Sequence, residues 1–461
     1  MFCKRLVKLG KSALPLAVGV AVIAAGCSSG SSSVSSTSSA SSPVATDNGV
    51  WAGVGKICEP GPGGASSVRG VKPKTINIAV FNDAANTVDP GLEAEFPQQA
   101  QAFADWCNAA GGINGRHIVI DNRDAALFNA AQQTEQACQS DFMAVGGGMA
   151  LDQPSVPIRE KCGLGQITGY VVSNVSDVAS LQVDPSGINT NSLPAGWFGA
   201  LAKAYPQAVK KAGMGGGNTP SILQPETKEE FGAEAQGWHV VDFLEPPVTV
   251  ENWAPYVEDY QSKGVEALWP ADTADLTPFA QAMTTAGYHP AFIALATEFA
   301  IPQTVKAVAE NPSLPPVYIE TAWWPLSMAS QNPSTEQLVK TMHTYAKGDK
   351  IDFNDEEGAE AWLLWAKAAS ACGASLTVTC VLNHAAAEKN WDAGGIQAPV
   401  ATLTLSNKNP TPSPCFAMLK VEAHGIMYDK AITRPTQSIW NCNPKNTVHL
   451  TAKQQQQLNA I

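Results

Sequence analysis

Short apolar strands alternate with helical stretches in two separate runs of this sequence. That alternation restricts the chain to parallel βαβ units whose sheets are covered on both faces. The first run opens with TINIAVF (75–81), continues into the polar loop NDAANTVDP, and enters a helix over roughly 91–109, where Ala, Phe and Trp recur at helical spacing. The helix stops at GGINGR. Gly111 or Gly112 can take a left-handed cap, Ile113 can pack back on the last turn, and Asn114-Gly115 supplies a tight turn. RHIVID, a helix over 129–139, FMAVGG, a helix over 154–161 and GQITGYV complete the block. The pattern restarts at TPSILQ (219–224), expected as a strand. It continues with a helix over 228–236, HVVDFL, a helix over 253–263, VEALWP, a helix over 276–286, AFIALA and PPVYIE. Helices over 335–346, 356–371 and 377–387 follow, and CFAMLKVEAHGIMYD reads as a hairpin turning near His424-Gly425. Two βα blocks, each too small to account for the whole chain, read as two lobes.

The N-terminal residues have a different character. MFCKRLVKLGK carries Lys4, Arg5, Lys8 and Lys11, an apolar run over 13–25 follows, and AAGC ends in Cys27 before a serine tract. A basic start, a short apolar core and small residues before a cut site describe a secretory signal. The apolar run is too short to span a bilayer comfortably. Small-small-Gly-Cys resembles the bacterial lipobox, whose cysteine is lipidated and becomes the new N-terminus; Ala24 stands where that pattern usually has Leu. Residues 1–26 are therefore expected as a signal peptide. Residues 27–72 are expected as a flexible Ser-rich tether and N-terminal arm, with the folded body starting at Thr75.

Charge narrows the partners. The formal net charge is −12, and removing four cations and no acids with residues 1–26 gives −12 − 4 = −16. So acidic a body does not track a phosphate backbone, and no nucleic-acid partner is expected. Cys3 leaves with the signal and Cys27 takes the lipid. The remaining cysteines are Cys58, Cys107, Cys138, Cys162, Cys372, Cys380, Cys415 and Cys442, an even set that suggests full pairing in an exported chain. CxxC is absent and the histidines are scattered, so neither a metal nor a cofactor is expected. From Thr75 onward GxSxG, HExxH and GxxxxGK[ST] are absent too. GMGGG (213–217) precedes the expected strand and reads as a turn, whereas a phosphate-cradling loop should follow a strand and open a helix. Gly146-Gly147-Gly148 does follow a strand, where backbone N–H groups can meet an anion. Glu229-Glu230 and the acids at 355–357 read as solvated helix starts. Trp323 and Trp324 must point in different directions, so one of them can face a cleft.

The order strand, polar loop, helix ending in GGINGR, strand, helix, strand is similar to that of the leucine/isoleucine/valine-binding family of periplasmic binding proteins, the ligand-capturing components of ABC importers. GASLTVTCVLNHAAAEKNWDAGGIQAP, from Gly373, resembles the segment by which that family's chain returns to its first lobe. The resemblance covers Thr75 to about Asn446 and implies an α/β, two-lobed fold. Each lobe would be a mainly parallel sheet flanked by helices, with a ligand cleft between them. It implies an N-lobe of 73–188 plus 323–400, a C-lobe of 189–322 plus 401–446, and a C-terminal tail of 447–461. It further implies a monomeric, non-enzymatic, lipid-anchored protein on the outer face of the cell membrane, which captures a small molecule and delivers it to an ABC permease. A surface-anchored sensor on the same fold, or a surface-anchored hydrolase, is the alternative.

Ligands of open α/β sheets sit beyond the C-terminal ends of the strands. That rule selects Asn82, Asp83, Gly148, Met149, Ala150, Thr168 and Tyr170 in the first lobe. In the second it selects Gln224, Phe231, Trp269, Asp272 and Glu298, with Trp323 at a crossing between lobes. The family places an acid near Glu298 to hold a ligand's α-ammonium. Where it usually places hydroxyls for the ligand's carboxylate, this chain has Met149-Ala150-Leu151. The expected solute is an amino-acid-like compound, an amide or a more apolar or aromatic molecule, with weak or no binding of leucine, isoleucine and valine. Right-handed crossovers in a 2-1-3-4-5 sheet put the second and third helices on one face, so Cys138 is paired with Cys162. Cys107, ending the first helix on the other face, is left to Cys58; Cys372 is paired with Cys380, and Cys415 with Cys442.

Overall fold

The computed structural model describes residues 48–461 except 89, 188, 248, 271–275 and 408–409. Residues 1–47, with the expected signal and Cys27, lie outside the described residues, as does Asp272. The strand Thr75–Asn82 (β1) alternates Ile76, Ile78 and Val80 toward one face, all at 0% exposure, and this makes it central. The helix Glu95–Ala109 (α1) buries Phe96, Phe103 and Trp106 against it. At the GGINGR stop the N–H of Gly112 donates to the carbonyl of Cys107 at 2.8 Å, with φ of 77° at Gly112. A Cβ at Gly112 would lie 2.2 Å from the carbonyl oxygen of Arg116, so only glycine fits. His117–Asp124 (β2), Ala130–Ser140 (α2), Met143–Val145 (β3), Val156–Cys162 (α3), Gly165–Ile167 (β4) and Gln182–Val183 (β5) follow. They complete a parallel sheet in the order β2-β1-β3-β4-β5.

The second sheet begins elsewhere than expected. Its first strand is Ala212–Gly215 (β6), and TPSILQ belongs to the helix Pro220–Ala235 (α4), with Thr219 at the N-cap and Pro220 in the first turn. The glycines hid the strand, because they give no apolar alternation to read. They are needed there: a Cβ on Gly213 would come within 2.8 Å of the Tyr260 ring. Val240–Leu244 (β7), Ala254–Ser262 (α5), Ala267–Leu268 (β8), Leu276–Ala286 (α6) and Phe292–Leu295 (β9) come next. Pro302–Glu310 (α7), a helix with no counterpart in the sequence reading, precedes Val317–Thr321 (β10). Pro333–Tyr345 (α8), Phe353–Cys372 (α9) and Val378–Ala386 (α10) return to the first sheet, where α9 packs on α1, β3 and β4. Cys415–Glu422 (β11) and Gly425–Tyr428 (β12) then close the second sheet in the order β7-β6-β8-β9-β10-β11-β12, with β11 antiparallel to β10, to β12 and, off that path, to the short strand Asn441–Cys442.

Both ends of the described chain are more ordered than the sequence reading allowed. Order starts well before Thr75. Val50–Trp51 pairs with Gly55–Lys56, and Trp51, 1% exposed, meets Trp106 edge-on at 5.0 Å and donates its indole N–H to Ser334 Oγ at 2.8 Å. One tryptophan in a Gly/Pro-rich stretch gives no periodicity, yet it carries enough apolar area to dock the arm. The expected tail is likewise structured. Thr447–His449 pairs with Ser192–Pro194, and the helix Ala452–Leu458 buries Leu458.

The disulfides join Cys58 to Cys107, Cys138 to Cys162, Cys372 to Cys380 and Cys415 to Cys442. Cys372 and Cys380 are 8 positions apart, at the joint between α9 and α10. Closing so short a loop is worth about 2–3 kcal/mol on the chain-entropy relation. The Cys372→Ser, Cys380→Ser double variant should therefore lose about that much in urea unfolding. No measurable loss would show that the α9–α10 joint is held by packing alone.

Candidate functional site

The loops after the first sheet's strands are tied together by one carboxylate. Asp83, fully buried just past β1, accepts from the N–H of Leu127 at 2.6 Å and from the N–H of Ala150 at 2.8 Å. The Gly148 N–H donates to the Phe81 carbonyl at 3.2 Å. Two of the amides expected to receive an anion are thus already occupied, one of them by the chain's own carboxylate. Asn82 donates to Asn122 Oδ1 at 2.5 Å, and Thr168 donates its hydroxyl to Asp184 at 3.1 Å. Tyr170 stacks on Phe96 at 5.8 Å and donates its hydroxyl to Glu93 Oε1. A Cβ on Gly148 would come within 2.3 Å of the Tyr170 ring, so the glycine lets the tyrosine lie across the strand end.

A layer of acids lies beside these loops. The helix α9 is apolar nearly all round, with Trp362, Leu363, Leu364 and Trp365 at 0% exposure, so its first turns are buried with the rest. Asp355, Glu356, Glu357 and Glu360 are accordingly 0%, 4%, 7% and 0% exposed. This corrects their reading as a solvated helix start. Trp323 donates its indole N–H to Glu360 Oε2 at 3.2 Å and meets Phe353 edge-on, while Trp324 turns the other way onto Trp440. Burial holds Glu356, Glu357 and Glu360 well above the usual carboxylate range, and each is raised further by neighbouring acids. Glu357 is affected by Glu360, Asp184, Glu298 and Glu93, which come from both blocks of the chain.

The second sheet contributes acids of its own. The turn Thr297–Phe299, after β9, packs against α9 and carries Glu298, which is exposed. Burial pushes Glu229 on α4 up to about 8, with Lys228 opposing and Glu298 adding. Glu320 on β10 is also pushed up to about 8 by burial, then by Glu229. Glu229 is therefore no solvated helix start either: it lies in the middle of the longer helix α4. Lys228 donates to the Asn189 carbonyl at 2.7 Å, and burial lowers its proton affinity.

The sequence profile of the family described as periplasmic binding protein matches residues 75–425. This chain belongs to that family. Solved structures show the same fold at low identity. The fatty acid ABC transporter substrate-binding protein from Thermomonospora curvata is 16% identical with a TM-score of 0.64, covering 84% of this chain and 97% of that one. A leucine-binding protein from Thermotoga maritima is 12% identical with a TM-score of 0.59, covering 77% and 97%. The branched-chain amino acid transporter substrate-binding protein from Streptococcus pneumoniae, in complex with isoleucine, is 14% identical with a TM-score of 0.60, covering 77% and 99%. No curated protein matches the sequence.

Several residues expected at the cleft of this periplasmic binding protein are engaged elsewhere. Trp269 is 4% exposed, stacks on Trp197 at 4.8 Å and donates to Glu226 at 2.6 Å within the second core. Phe231 belongs to the same core. Met149 packs with Ala79, Phe81 and Leu164 under the first sheet. Gln224, on α4 rather than a strand end, donates to the Leu458 carbonyl at 3.2 Å. The sequence reading missed Glu93, Asp184, Glu357 and Glu360. The signal for the last two was available: acids spaced within an otherwise Ala/Leu/Trp helix are carried into the interior with it.

Proposed function

We propose that this chain is a lipid-anchored, extracytoplasmic solute-binding protein that captures a small molecule between its lobes and hands it to an ABC permease. The observation that carries the reading is the set of buried acids on α9, a helix that packs on β3 and β4 of the first sheet and on the turn after β9 of the second, in a chain whose residues 75–425 match the family profile. Sheets meeting at their strand ends can close on a solute by hinge motion, with the crossings near 184–191, 321–325 and 397–403 absorbing the rotation. In this reading Asp83, Gly148, Thr168 and Tyr170 line the N-lobe side, Glu298 the C-lobe side, and Trp323 the crossing between them. The names of the structural relatives put fatty acids, leucine and isoleucine among the solutes to be tried. Because Asp83 and the Phe81 carbonyl already hold the amides of Ala150 and Gly148, leucine should bind weakly or not at all.

Attachment comes through the lipid on Cys27. Cys27→Ala should move the protein out of the membrane fraction or leave its signal uncut, read by fractionation and intact mass. A membrane-bound variant with the normal mature mass would overturn the anchor.

A further inference from the structure

We propose that the solute is an organic polyammonium cation, an elongated amine with two or more positive charges joined by methylene groups; the inference rests on the solute-binding reading above. The acids that carry it come from both sides of the cleft. Glu93, Glu357 and Glu360 belong to the first lobe, and Glu229 and Glu320 to the second. Lys228 is the cation that opposes the rise at Glu229, and its ammonium is also held by the Asn189 carbonyl.

A charge cluster alone would say little, but these carboxylates are also incompletely bonded. Glu360 is 0% exposed, and its Oε1, beside Asp184 and Glu357, has no hydrogen-bond partner among the described residues. Glu356 Oε1 and Glu93 Oε2 are in the same condition. A buried acceptor without a donor is costly, and a charged one more so. An ammonium group brings both the missing donors and the missing charge.

Spacing distinguishes an amine from a metal ion. Calcium takes six to eight oxygens and magnesium about six, at roughly 2.0–2.6 Å. Among the described residues, the one group of three ligand-type side chains lying within 4.8 Å is Cys372, Cys380 and His384, and its cysteines are bonded to each other. The acids are therefore spread along the cleft rather than gathered around a point, which suits charges separated by methylenes. Aromatic faces suit the same ligand. Tyr170 with Phe96, and Trp323 with Phe353, flank the acids and can take methylene groups or the face of a cation. A carboxylate-bearing solute would find the Ala150 amide already bonded to Asp83.

Burial has raised the proton affinity of these acids, so an arriving cation should drive protons off them. The groups facing Glu357 are Glu360, Asp184, Glu298 and Glu93, and those facing Glu229 are Lys228, Glu298 and Glu320. Binding should strengthen from pH 6 to pH 8.

The test is calorimetry on the mature, delipidated protein with spermidine, leucine, palmitate and calcium chloride. Spermidine should bind at micromolar concentration or tighter, with a heat that depends on buffer ionisation in the sense of proton release. Glu360→Gln should weaken it roughly ten- to a hundredfold, as expected for losing a charged hydrogen-bond partner. Glu229→Gln, on the other lobe, should also weaken it and guards against a folding defect in the first variant. Tighter binding of leucine, palmitate or calcium than of spermidine overturns the cation while leaving a solute-binding protein. Silence toward all four from a protein with a cooperative thermal transition counts against both.

Discussion

Trp362→Ala should lower the unfolding free energy by about 3–5 kcal/mol, the range for deleting a fully buried tryptophan. Trp362 is 0% exposed and lies where α9 crosses α1, with ring centroids 5.4 Å from both Phe103 and Trp365. Its ring fills the space left by Gly146, whose Cβ would come within 2.5 Å of it. The surroundings cannot collapse into the hole, because α1, α9 and the β3 end are fixed by their own packing. Trp362→Phe should cost well under half as much. It keeps an aromatic ring against Phe103 and removes an indole N–H that has no partner among the described residues. Urea unfolding of the two variants checks the ranking, and a loss below about 1.5 kcal/mol for the alanine variant would show that α9 is held mainly by other contacts. The same ring supports the loop carrying Gly146, Gly147 and Gly148, so solute affinity should fall with stability.

The fold was legible wherever apolar period and turn chemistry agreed. TINIAVF, GGINGR and the helix over 276–286 reappear nearly residue for residue as β1, its following turn and α6. Reading failed where a glycine did a packing job. AGMG is a buried strand because its missing side chains admit Tyr260, and no periodicity records that. Without AGMG as a strand, TPSILQ reads as the first strand of the block and Gln224 as a strand-end residue, whereas both belong to α4.

The cleft was harder to read for a different reason. Position beyond a strand end says where a side chain starts, and not which way it turns. Trp269 and Met149 start in suitable places and turn into cores, where their apolar area is better buried. Asp83 starts in a suitable place and is consumed by backbone amides on two other loops. The acids of α9 came to the site through a helix that returns from far along the chain. Only the apolar content of that helix, read all round rather than on one face, could have announced it.

The thermal midpoint should be highest near pH 5 and fall as the pH rises through 8. Burial pushes Asp177 up to about 7 and Asp352, Glu229 and Glu320 up to about 8, with Glu356, Glu357 and Glu360 also raised. In the unfolded chain the same groups release their protons near pH 4. Between those limits the folded protein holds more protons than the unfolded chain, so stability declines with rising pH. Lys228 offsets part of this, since burial lowers its own proton affinity. Among the described residues Glu160 is the carboxylate lowered instead, by the N–H of Ser180, and its contribution is lost only on the acid side of this window. Scanning calorimetry at pH 5, 6.5 and 8 reads the decline directly, and a midpoint that holds steady or climbs across that range would mean the acids are hydrated and ionised throughout. Spermidine added at pH 8 should recover much of the lost midpoint, because a bound cation supplies to the carboxylates what protons supply at pH 5.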